Sequence, residues 1–367
     1  MLKKAMFPGK YLQGAGALHE LPALVKLFGK RGLILASPTA HGKILPESGI
    51  ELNPNNLYVD RFTGECCEAE LTRLDAVIRE TNTDVLVGMG GGKAIDTAKI
   101  AADRANIPVI IIPTIASTDA PCSGCAVLYS GQGVFESVYY QTSNPAAVVV
   151  DTAIIANAPV RFLVAGMGDA LATWFEARSC SATQSENACG GLGTMTGLNL
   201  ARLCYDTLLN YGVAARIAAE QQIITPALER IVEANILLSG IGFESGGLAA
   251  AHSIHNGLTA LQETHAFFHG EKVAFGVLAG LQLTDALPEE SDTVYSFCEQ
   301  IGLPTTLADL GLKDCDRSRL MEVAEKACAP LECIHHEAGT ITPQNVLQAL
   351  LAADAIGTCR KKQADRP

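Results

Sequence analysis

Short apolar runs alternate with a helical pattern in the first 150 residues of the chain. Four runs rich in Val, Ile and Leu, each bounded by Gly, Pro or Asp, have the character of buried parallel strands: residues 32–36, 84–89, 109–112 and 148–150. Between the second and third runs, the apolar residues take helical spacing from Ile95 through Ala98 to Ala102. This strand, helix, strand succession predicts a doubly wound parallel sheet.

Longer helical patterns replace the strand-like runs after Asp151. They cover residues 169–180, 194–210, 225–238, 247–261 and 344–356. The change falls near Ala158 and Pro159, where proline interrupts the pattern ahead of the next helix. Since 367 residues are enough for two or three cores, we expect two domains. Residues 1–158 form an α/β domain with a parallel sheet, and residues 159–367 form an all-α domain.

Composition and charge narrow the class of protein. With 48% hydrophobic and 18% charged residues, the chain can bury a large core, as compact soluble proteins do. The 39 acidic residues against 27 basic ones give a net charge of -12, which repels nucleic acid and anionic lipid. No apolar run is long enough to cross a membrane. We therefore expect neither nucleic acid nor membrane as a partner.

The start of the chain and the cysteines indicate a cytoplasmic location. The first residues carry two lysines but no apolar segment before Pro8 and Gly9, unlike a secretory signal. The twelve cysteines lie in apolar contexts such as those of Cys204 and Cys328, which suits reduced thiols rather than a disulfide framework.

A glycine-rich segment follows the second predicted strand and opens a helix. Gly90, Gly91, Gly92 and Lys93 let backbone amides approach an anion at the positive end of that helix. The segment is not a Walker motif, because Ala94 replaces the hydroxyl residue, and it lacks GxGxxG spacing. A tight turn without a ligand is the alternative. We favour a pyrophosphate-containing cofactor.

A second polar loop, residues 113–123, follows the next strand along the chain. Its side chains include the carboxylate of Asp119 and the hydroxyls of Thr114, Ser117, Thr118 and Ser123. Ligands of open parallel sheets bind at the carboxyl ends of the strands, so both loops are expected to face one crevice. An Asx turn with helix caps is the alternative. Cys122 and Cys125 form a single CxxC without a second pair, and we do not favour dithiol chemistry there.

Histidines cluster in the second half of the chain, where four of the eight lie between residues 252 and 269. His252 and His255 are spaced to share one helix face, and His269 follows after a break. A hydrogen-bonded histidine pair without a metal is the alternative. Asp169 is placed in the first turn of an apolar helix, where it would either cap that helix or provide a third ligand.

Packing of these helices side by side would bring Asp169, His252 and His269 together. Three protein ligands leave a coordination position open, as catalytic metal sites do. Two imidazoles and one carboxylate suit zinc, and iron or manganese stays open on ligand type.

Five segments resemble, in order and spacing, the bacterial glycerol dehydrogenases of the iron-containing (group III) alcohol dehydrogenase family. They are GMGGGKAIDTAK, PTIASTDAPCS, GMGDALATWFEA, ESGGLAAAHSIHNG and FFHGEKVAFG. The likeness runs almost end to end and is closest over residues 88–129, 166–180 and 225–276.

The resemblance implies a Rossmann-like N-terminal domain and a helical C-terminal domain, with the active site in the cleft between them, and a ring-like homo-octamer. It implies interconversion of glycerol and dihydroxyacetone, or of a related diol such as propane-1,2-diol, by hydride transfer to and from NAD, with one metal ion per subunit for which zinc is favoured. Two alternatives stay open. One is a polyol-phosphate dehydrogenase or a lyase similar to dehydroquinate synthase, and the other is a catalytically silent dinucleotide-binding scaffold.

The resemblance also assigns roles to individual residues. It implies metal ligation by Asp169, His252 and His269 and a substrate-hydroxyl contact by Asp119. Phe243 would be a wall of the substrate pocket, and His255 would either support the metal ligands or line the pocket. The dinucleotide contacts that it implies are Gly92, Lys93, Ala94, Ile95, Asp96, Thr114, Ile115, Ala116, Ser117, Ser123, Cys125 and Tyr129, to which the glycine-rich segment itself adds Gly90 and Gly91.

Two positions depart from the family pattern. Ser37 stands at the end of the first predicted strand, where glycerol dehydrogenases usually carry an Asp that holds the adenosine ribose. An acidic side chain there would repel a ribose phosphate and Ser37 would not. We therefore expect weakened discrimination against NADP, to the point of dual use. Cys125 replaces the more usual aliphatic residue.

Overall fold

The computed structural model describes residues 2–50, 52, 56–313 and 316–364, and the chain divides into two compact units. The sheet unit comprises Met6–Phe162 and Ile217–Gly240. The helical unit comprises Met1–Ala5, Leu163–Arg216 and Ile241–Pro367. Among the helices that the structure describes, none is both long enough and apolar enough to span a membrane.

The described residues of the sheet unit form eight strands: β1 (Tyr11–Gly14), β2 (Gly32–Ala36), β3 (Leu57–Arg61), β4 (Val85–Gly90), β5 (Val109–Pro113), β6 (Cys125–Tyr129), β7 (Phe135–Tyr140) and β8 (Ala147–Asp151). Six of them form a parallel sheet in the order β1-β8-β5-β4-β2-β3. Strands β6 and β7 form a separate antiparallel hairpin. The four predicted strands and the parallel sheet are confirmed, and β1, β3 and the hairpin are additions.

The α-helices of the described residues are α1 (Leu21–Phe28), α2 (Leu45–Glu47), α3 (Glu68–Thr81), α4 (Gly92–Ala105), α5 (Thr152–Ala156), α6 (Val160–Thr183), α7 (Met195–Glu220), α8 (Pro226–Glu233), α9 (Ser239–Gly246), α10 (Ala250–Leu258), α11 (His269–Leu283), α12 (Pro288–Ile301), α13 (Arg317–Ala327) and α14 (Pro343–Ala364). Two π-helical stretches, Ala40–Ile44 and Ala234–Leu238, lie before α2 and after α8. The predicted helical character of the second half is confirmed.

The four central strands β2, β4, β5 and β8 are buried along their whole length. Strands that are covered on both faces carry continuous apolar runs rather than alternating ones. These four strands could be predicted from the sequence for that reason. The chain passes from β2 outward to β3 and then returns to β4 on the other side of β2. The carboxyl ends of β2 and β4 therefore form a topological switch point, where doubly wound sheets bind their ligands.

The division into units differs from the predicted boundary at residues 158 and 159 in three places: Met1–Ala5 belong to the helical unit, and residues 159–162 and 217–240 belong to the sheet unit. Residues 217–240 belong to the sheet unit, to which polar contacts attach them. The carboxylate of Glu229 accepts hydrogen bonds from Gln13 Nε2 at 2.7 Å and from Thr152 Oγ1 at 2.7 Å. The Asn235 amide donates to the carbonyl of Ala116 at 3.0 Å. Helical spacing alone does not reveal such contacts.

Candidate metal centre and cofactor loops

Asp169 lies in the middle of α6, which begins at Val160, and its side chain is fully buried. The expectation of a position in the first turn is therefore wrong, and so is the capping alternative, because capping serves only the first amides of a helix. An ionised carboxylate at a buried position needs a partner of opposite charge. Asp169 must therefore serve an interaction beyond its own helix.

His252 on α10 is held in place by a second buried carboxylate, that of Glu176 on α6. Its Nδ1 lies 2.6 Å from Glu176 Oε2, and its Nε2 lies 3.5 Å from Asp169 Oδ1. The other oxygen of Glu176 accepts the backbone N–H groups of His252 at 3.0 Å and Ala249 at 2.9 Å. A carboxylate can only accept, so Nδ1 carries a proton toward Glu176, and Nε2, on the side of Asp169, is the nitrogen that can bind a metal ion when its own proton is lost.

His269 is the first residue of α11, and its Nε2 lies 3.0 Å from Asp169 Oδ1. Its Nδ1 lies 3.0 Å from Nε2 of His255, which is 9% exposed. The other nitrogen of His255, Nδ1, lies 3.0 Å from Asn256 Oδ1. Both nitrogens of His255 are thus engaged within the protein, and its ring contacts a metal-ligand candidate.

The pKa values follow from these contacts. Burial alone would raise the pKa of Asp169, but the imidazoles of His269 and His252 lower it well below its ordinary value. Burial would lower the pKa of His252, but the carboxylates of Glu176 and Asp169 raise it well above the ordinary value. Burial, His269 and Lys272 lower the pKa of His255 well below that value. His255 is therefore neutral near neutral pH.

Glycines allow the three helices to approach closely enough for the side chains to meet. A Cβ at Gly168 would collide with the carbonyl of Gly270, and one at Gly270 with the carbonyl of Ala165. A Cβ at Gly276 would likewise meet the carbonyl of Ala251. These glycines lie beside Asp169, His269 and His252 in the sequence or in space. The three glycines therefore permit close packing of helix backbones next to each of the three candidate ligands.

The donor set fits a divalent metal ion. One ligand atom from each of Asp169, His252 and His269 lies within 4.8 Å of the other two. The cluster unites a carboxylate with imidazole nitrogens whose opposite ring nitrogens are already hydrogen-bonded, which is the usual arrangement around metal-binding histidines. Two imidazoles and one carboxylate match zinc, iron or manganese. The convergence that the sequence predicted is present.

The glycine-rich segment lies at the switch point of the sheet unit. Gly90 ends β4, Gly91 is the N-cap of α4, and a Cβ at Gly90 would approach Cβ of Ser37, beyond β2, to 2.8 Å. The amide of Thr114 donates to the carbonyl of Gly90 at 3.0 Å, which joins the second loop to the first. The first-turn amides of α4 are suited to bind an anion here.

The side chains predicted to contact the cofactor fall into two groups. The partly accessible ones include Ser37, Ile115, Ser117, Cys125 and Tyr129. Lys93 is exposed, with Nζ 2.6 Å from Glu65 Oε2 and 5.0 Å from the ring centroid of Tyr129. Gly91 and Gly92 are also partly accessible, as a backbone contact requires.

The remaining predicted contacts are buried: Gly90, Ala94, Ile95, Asp96, Thr114, Ala116 and Ser123. Asp96 accepts the backbone N–H of Val127 at 3.1 Å, and burial raises its pKa. The hydroxyl of Ser123 donates to the carbonyl of Ala120 at 3.1 Å. Asp96 and Ser123 therefore stabilise the polypeptide around the second loop through these hydrogen bonds, from its buried side.

Lys99 is a residue that the sequence reasoning missed. Its side chain is fully buried and its Nζ donates to the carbonyls of Ala120, at 2.8 Å, and Cys125. Nζ also lies 3.9 Å from Asp96 Oδ1. Because a buried ammonium is costly unless it is hydrogen-bonded, Lys99 fixes the loop between Ala120 and Cys125 to α4.

Asp119 is held by residues that follow α8. Its Oδ2 accepts the hydroxyl of Ser239 at 2.8 Å, and its backbone lies against Gly240, where a Cβ would approach the carbonyl of Asp119 to 2.8 Å. Asp119 is 8% exposed. Ser239 directly follows the π-helical stretch Ala234–Leu238, a local irregularity often found at functional sites.

Phe243 and the cysteine pair are also located. Phe243 on α9 is buried within the helical unit. Cys122 is fully buried, Cys125 is partly buried, and the cysteines that the structure describes form no disulfide with one another.

Comparison with known proteins identifies the family. A family model of the iron-containing alcohol dehydrogenases matches residues 8–152. The chain is 53% identical to a glycerol dehydrogenase of Thermotoga maritima, over 98% of this chain and 99% of that protein. It is 51% identical to a glycerol dehydrogenase of Pseudomonas putida, over 95% and 96%. The crystal structure of a probable glycerol dehydrogenase from Sinorhizobium meliloti matches with a TM-score of 0.92 at 46% identity, covering 98% of this chain and 100% of that one. With this degree of identity along nearly its whole length, the chain belongs to the iron-containing alcohol dehydrogenase family.

Proposed function

We propose that this protein is a metal-dependent glycerol dehydrogenase that interconverts glycerol and dihydroxyacetone, and related vicinal diols, by hydride transfer to and from NAD. The observation that carries the proposal is the convergence of Asp169, His252 and His269. The high identity to glycerol dehydrogenases supports the reaction. It also disfavours the polyol-phosphate dehydrogenase, lyase and silent-scaffold alternatives.

The three ligand side chains would hold one metal ion in each subunit. Their donor atoms fit zinc, iron or manganese, and the resemblance to the family favours zinc. When bound, the ion would supply the Lewis acidity that lowers the pKa of a substrate hydroxyl. Glu176 keeps the proton of His252 on Nδ1 and turns Nε2 toward Asp169. The buried Asp169 keeps its negative charge, because both neighbouring imidazoles stabilise the ionised form.

Asp119 is proposed to accept a hydrogen bond from a hydroxyl next to the one that is oxidised. Its Oδ2 is already oriented by Ser239, so its position is set before substrate binds. A substrate with one hydroxyl cannot use this acceptor, and a vicinal diol can. This role would give a preference for diols over simple alcohols, with Phe243 as a wall of the pocket.

The first turn of α4 and the loop 113–123 are proposed to bind the dinucleotide. Gly91 and Gly92 would let the pyrophosphate approach the helix amides, and Ser37 would face the adenosine ribose from the end of β2. Because Ser37 carries no charge, we propose use of NADP as well as NAD.

The location and assembly of the protein are further proposals. The described cysteines form no disulfide with one another, which suits the cytoplasm. A ring-like homo-octamer rests on the resemblance to the family.

A diol panel tests the proposed function. Purified protein is assayed with glycerol, propane-1,2-diol and propan-2-ol, while NADH and NADPH absorbance is followed, before and after removal of metal by a chelator. We expect turnover of the diols, its loss in the stripped protein, and its return with zinc. Full activity in stripped protein that added zinc does not change would contradict the proposal.

A further inference from the structure

A chain of hydrogen bonds leads from His269 to the carboxylate of Glu332. Nδ1 of His269 lies 3.0 Å from Nε2 of His255, and Nδ1 of His255 lies 3.0 Å from Oδ1 of Asn256. The amide nitrogen of Asn256 then donates to both carboxylate oxygens of Glu332, at 3.2 and 3.0 Å. Glu332 lies between α13 and α14, far along the sequence from the other three residues.

The direction of every hydrogen bond in this chain follows from the carboxylate at its end. The ionised carboxylate of Glu332 can only accept, so the amide nitrogen of Asn256 must face it, and Oδ1 must face His255. An amide oxygen can only accept, so His255 carries its proton on Nδ1. With a neutral ring, Nε2 of His255 is an acceptor, and the proton of His269 lies on Nδ1.

We propose that Glu332, Asn256 and His255 act as positioning residues that fix the proton of His269 on Nδ1 and so leave its Nε2 lone pair for the metal. This inference rests on the proposed function, because it requires that a metal ion binds at Asp169, His252 and His269. Of the two places that the resemblance leaves open for His255, beside the metal ligands or in the substrate pocket, this proposal selects the first and gives it a polarity.

The alternative polarity shows what the chain prevents. If Asn256 turned its amide nitrogen toward His255, the proton of His255 would move to Nε2. His269 would then have to accept at Nδ1 and would carry its own proton on Nε2, the atom 3.0 Å from Asp169. A protonated nitrogen cannot ligate a metal. The carboxylate of Glu332, three side chains away from His269, thus selects the His269 tautomer that can bind a metal ion.

Cobalt binding to metal-free protein tests the chain without any assay of turnover. Stripped wild-type and variant proteins are titrated with Co²⁺ against a competing chelator, and the visible absorption of the bound ion is recorded. For His255→Leu, which removes the acceptor of the His269 proton, we expect a dissociation constant raised about 10- to 100-fold and an altered spectrum. His255→Gln can offer a carbonyl oxygen to that proton, and it should restore most of the affinity.

Glu332→Lys tests the polarity at the far end of the chain. An ammonium group can only donate, so it would turn the amide of Asn256 around and weaken cobalt binding. Glu325→Lys is the matched control, since it makes the same charge change at an exposed position on α13, a helix that packs against α10. It should bind cobalt as the wild type does.

The outcomes separate this inference from the proposed function. Wild-type protein that takes up no cobalt would overturn the proposed function and this inference with it. Wild-type binding together with unchanged affinity and spectrum in His255→Leu, or equal losses in Glu332→Lys and Glu325→Lys, would overturn this inference alone. Thermal unfolding of the metal-free proteins by circular dichroism checks that each variant folds. If His255→Leu does not fold, the comparison of cobalt binding by Glu332→Lys and Glu325→Lys decides whether this inference holds.

Discussion

Glu176 holds His252 at two points, through the ring nitrogen Nδ1 at 2.6 Å and through the backbone N–H at 3.0 Å. The same carboxylate accepts the amide of Ala249 at the start of α10. One buried side chain on α6 therefore fixes both the start of the histidine helix and the rotation of its ligand ring. The proposed metal site therefore depends on Glu176, although Glu176 is not one of its proposed ligands.

Replacement of Glu176 should weaken metal binding. For Glu176→Leu we expect a zinc dissociation constant raised about 10- to 100-fold, because the proton and orientation of His252 are no longer fixed. Glu176→Gln keeps one acceptor oxygen, and its zinc dissociation constant should lie between those of the wild type and Glu176→Leu. Competition with a chromophoric chelator measures the affinity.

Glu337→Gln is the control for this prediction. Glu337 also has a buried carboxylate that contacts the start of α10. It accepts hydrogen bonds from the amide of Ala250, the first residue of α10, at 3.2 Å and from the hydroxyl of Ser179 at 2.6 Å. It has no hydrogen bond to His252 among those described, so zinc affinity should change little. Equal losses in both variants would show that damage to the helix terminus, rather than the contact with His252, is responsible.

Replacement of Asp119 should reduce activity on diols selectively. In Asp119→Ala, kcat/KM for glycerol should fall about 10- to 100-fold, which corresponds to the loss of one hydrogen bond to a charged group. The value for propan-2-ol, which has no second hydroxyl, should change much less. Ser239→Ala keeps the carboxylate but removes its 2.8 Å anchor, and we expect an intermediate loss for glycerol. Parallel losses for both alcohols would refute a role in diol recognition.

Replacement of Ser37 should change the preference between the two cofactors. An aspartate would bring a negative charge toward the ribose phosphate of NADP, so Ser37→Asp should lower kcat/KM with NADP relative to NAD by about tenfold or more. The side chain of Ser37 accepts the amide of Ala40 at 3.3 Å, and a carboxylate can do the same. Ser37→Ala, which loses this hydrogen bond without adding charge, is the control. A wild-type enzyme already strongly selective for NAD would show that Ser37 does not control the choice.

The sequence predicted the buried part of the fold better than its edges. Strands β2, β4, β5 and β8 are continuous apolar runs because the sheet is covered on both faces. Edge strand β1 reads YLQG and is only partly buried, so it lacks that pattern. The helical pattern of residues 217–240 predicts a place in the all-α domain, but polar side chains attach these residues to the sheet unit.

For the site, residue type and spacing located the ligands but not their supports. Glu176 lies seven residues after Asp169, two turns along the same helix face, and this signal could have identified it. Lys99 has no such signal, because a lysine in a helix is usually exposed and its partners lie in a separate loop. The role of Glu332 depends on a contact across 76 residues of chain, which spacing does not reveal.

An ion pair between a buried carboxylate and a partly exposed arginine in the sheet unit should make stability depend on pH. The Glu70 side chain is 2% exposed and accepts hydrogen bonds from Arg73 Nε at 2.8 Å and Thr63 Oγ1 at 2.7 Å. Burial alone would raise the pKa of Glu70, but Arg73 and Thr63 outweigh it and lower the pKa below its ordinary value of 4.5. Because the folded pKa is the lower one, the ionised group stabilises the fold above the ordinary pKa, and this contribution is lost as pH falls through the folded pKa.

Glu70→Gln should therefore lower the thermal unfolding midpoint at neutral pH and lose its effect in acid. We expect a cost of about 1 to 3 kcal/mol at neutral pH, or about 2 to 4 °C in Tm for each kcal/mol. The gap to the wild type should narrow as pH falls below the ordinary pKa of 4.5 and through the lower folded pKa. Glu68→Gln is the control, because its pair with Arg104 is exposed and such pairs contribute little. A gap that stays constant or widens toward acid would mean that Glu70 does not stabilise the sheet unit as an ionised group.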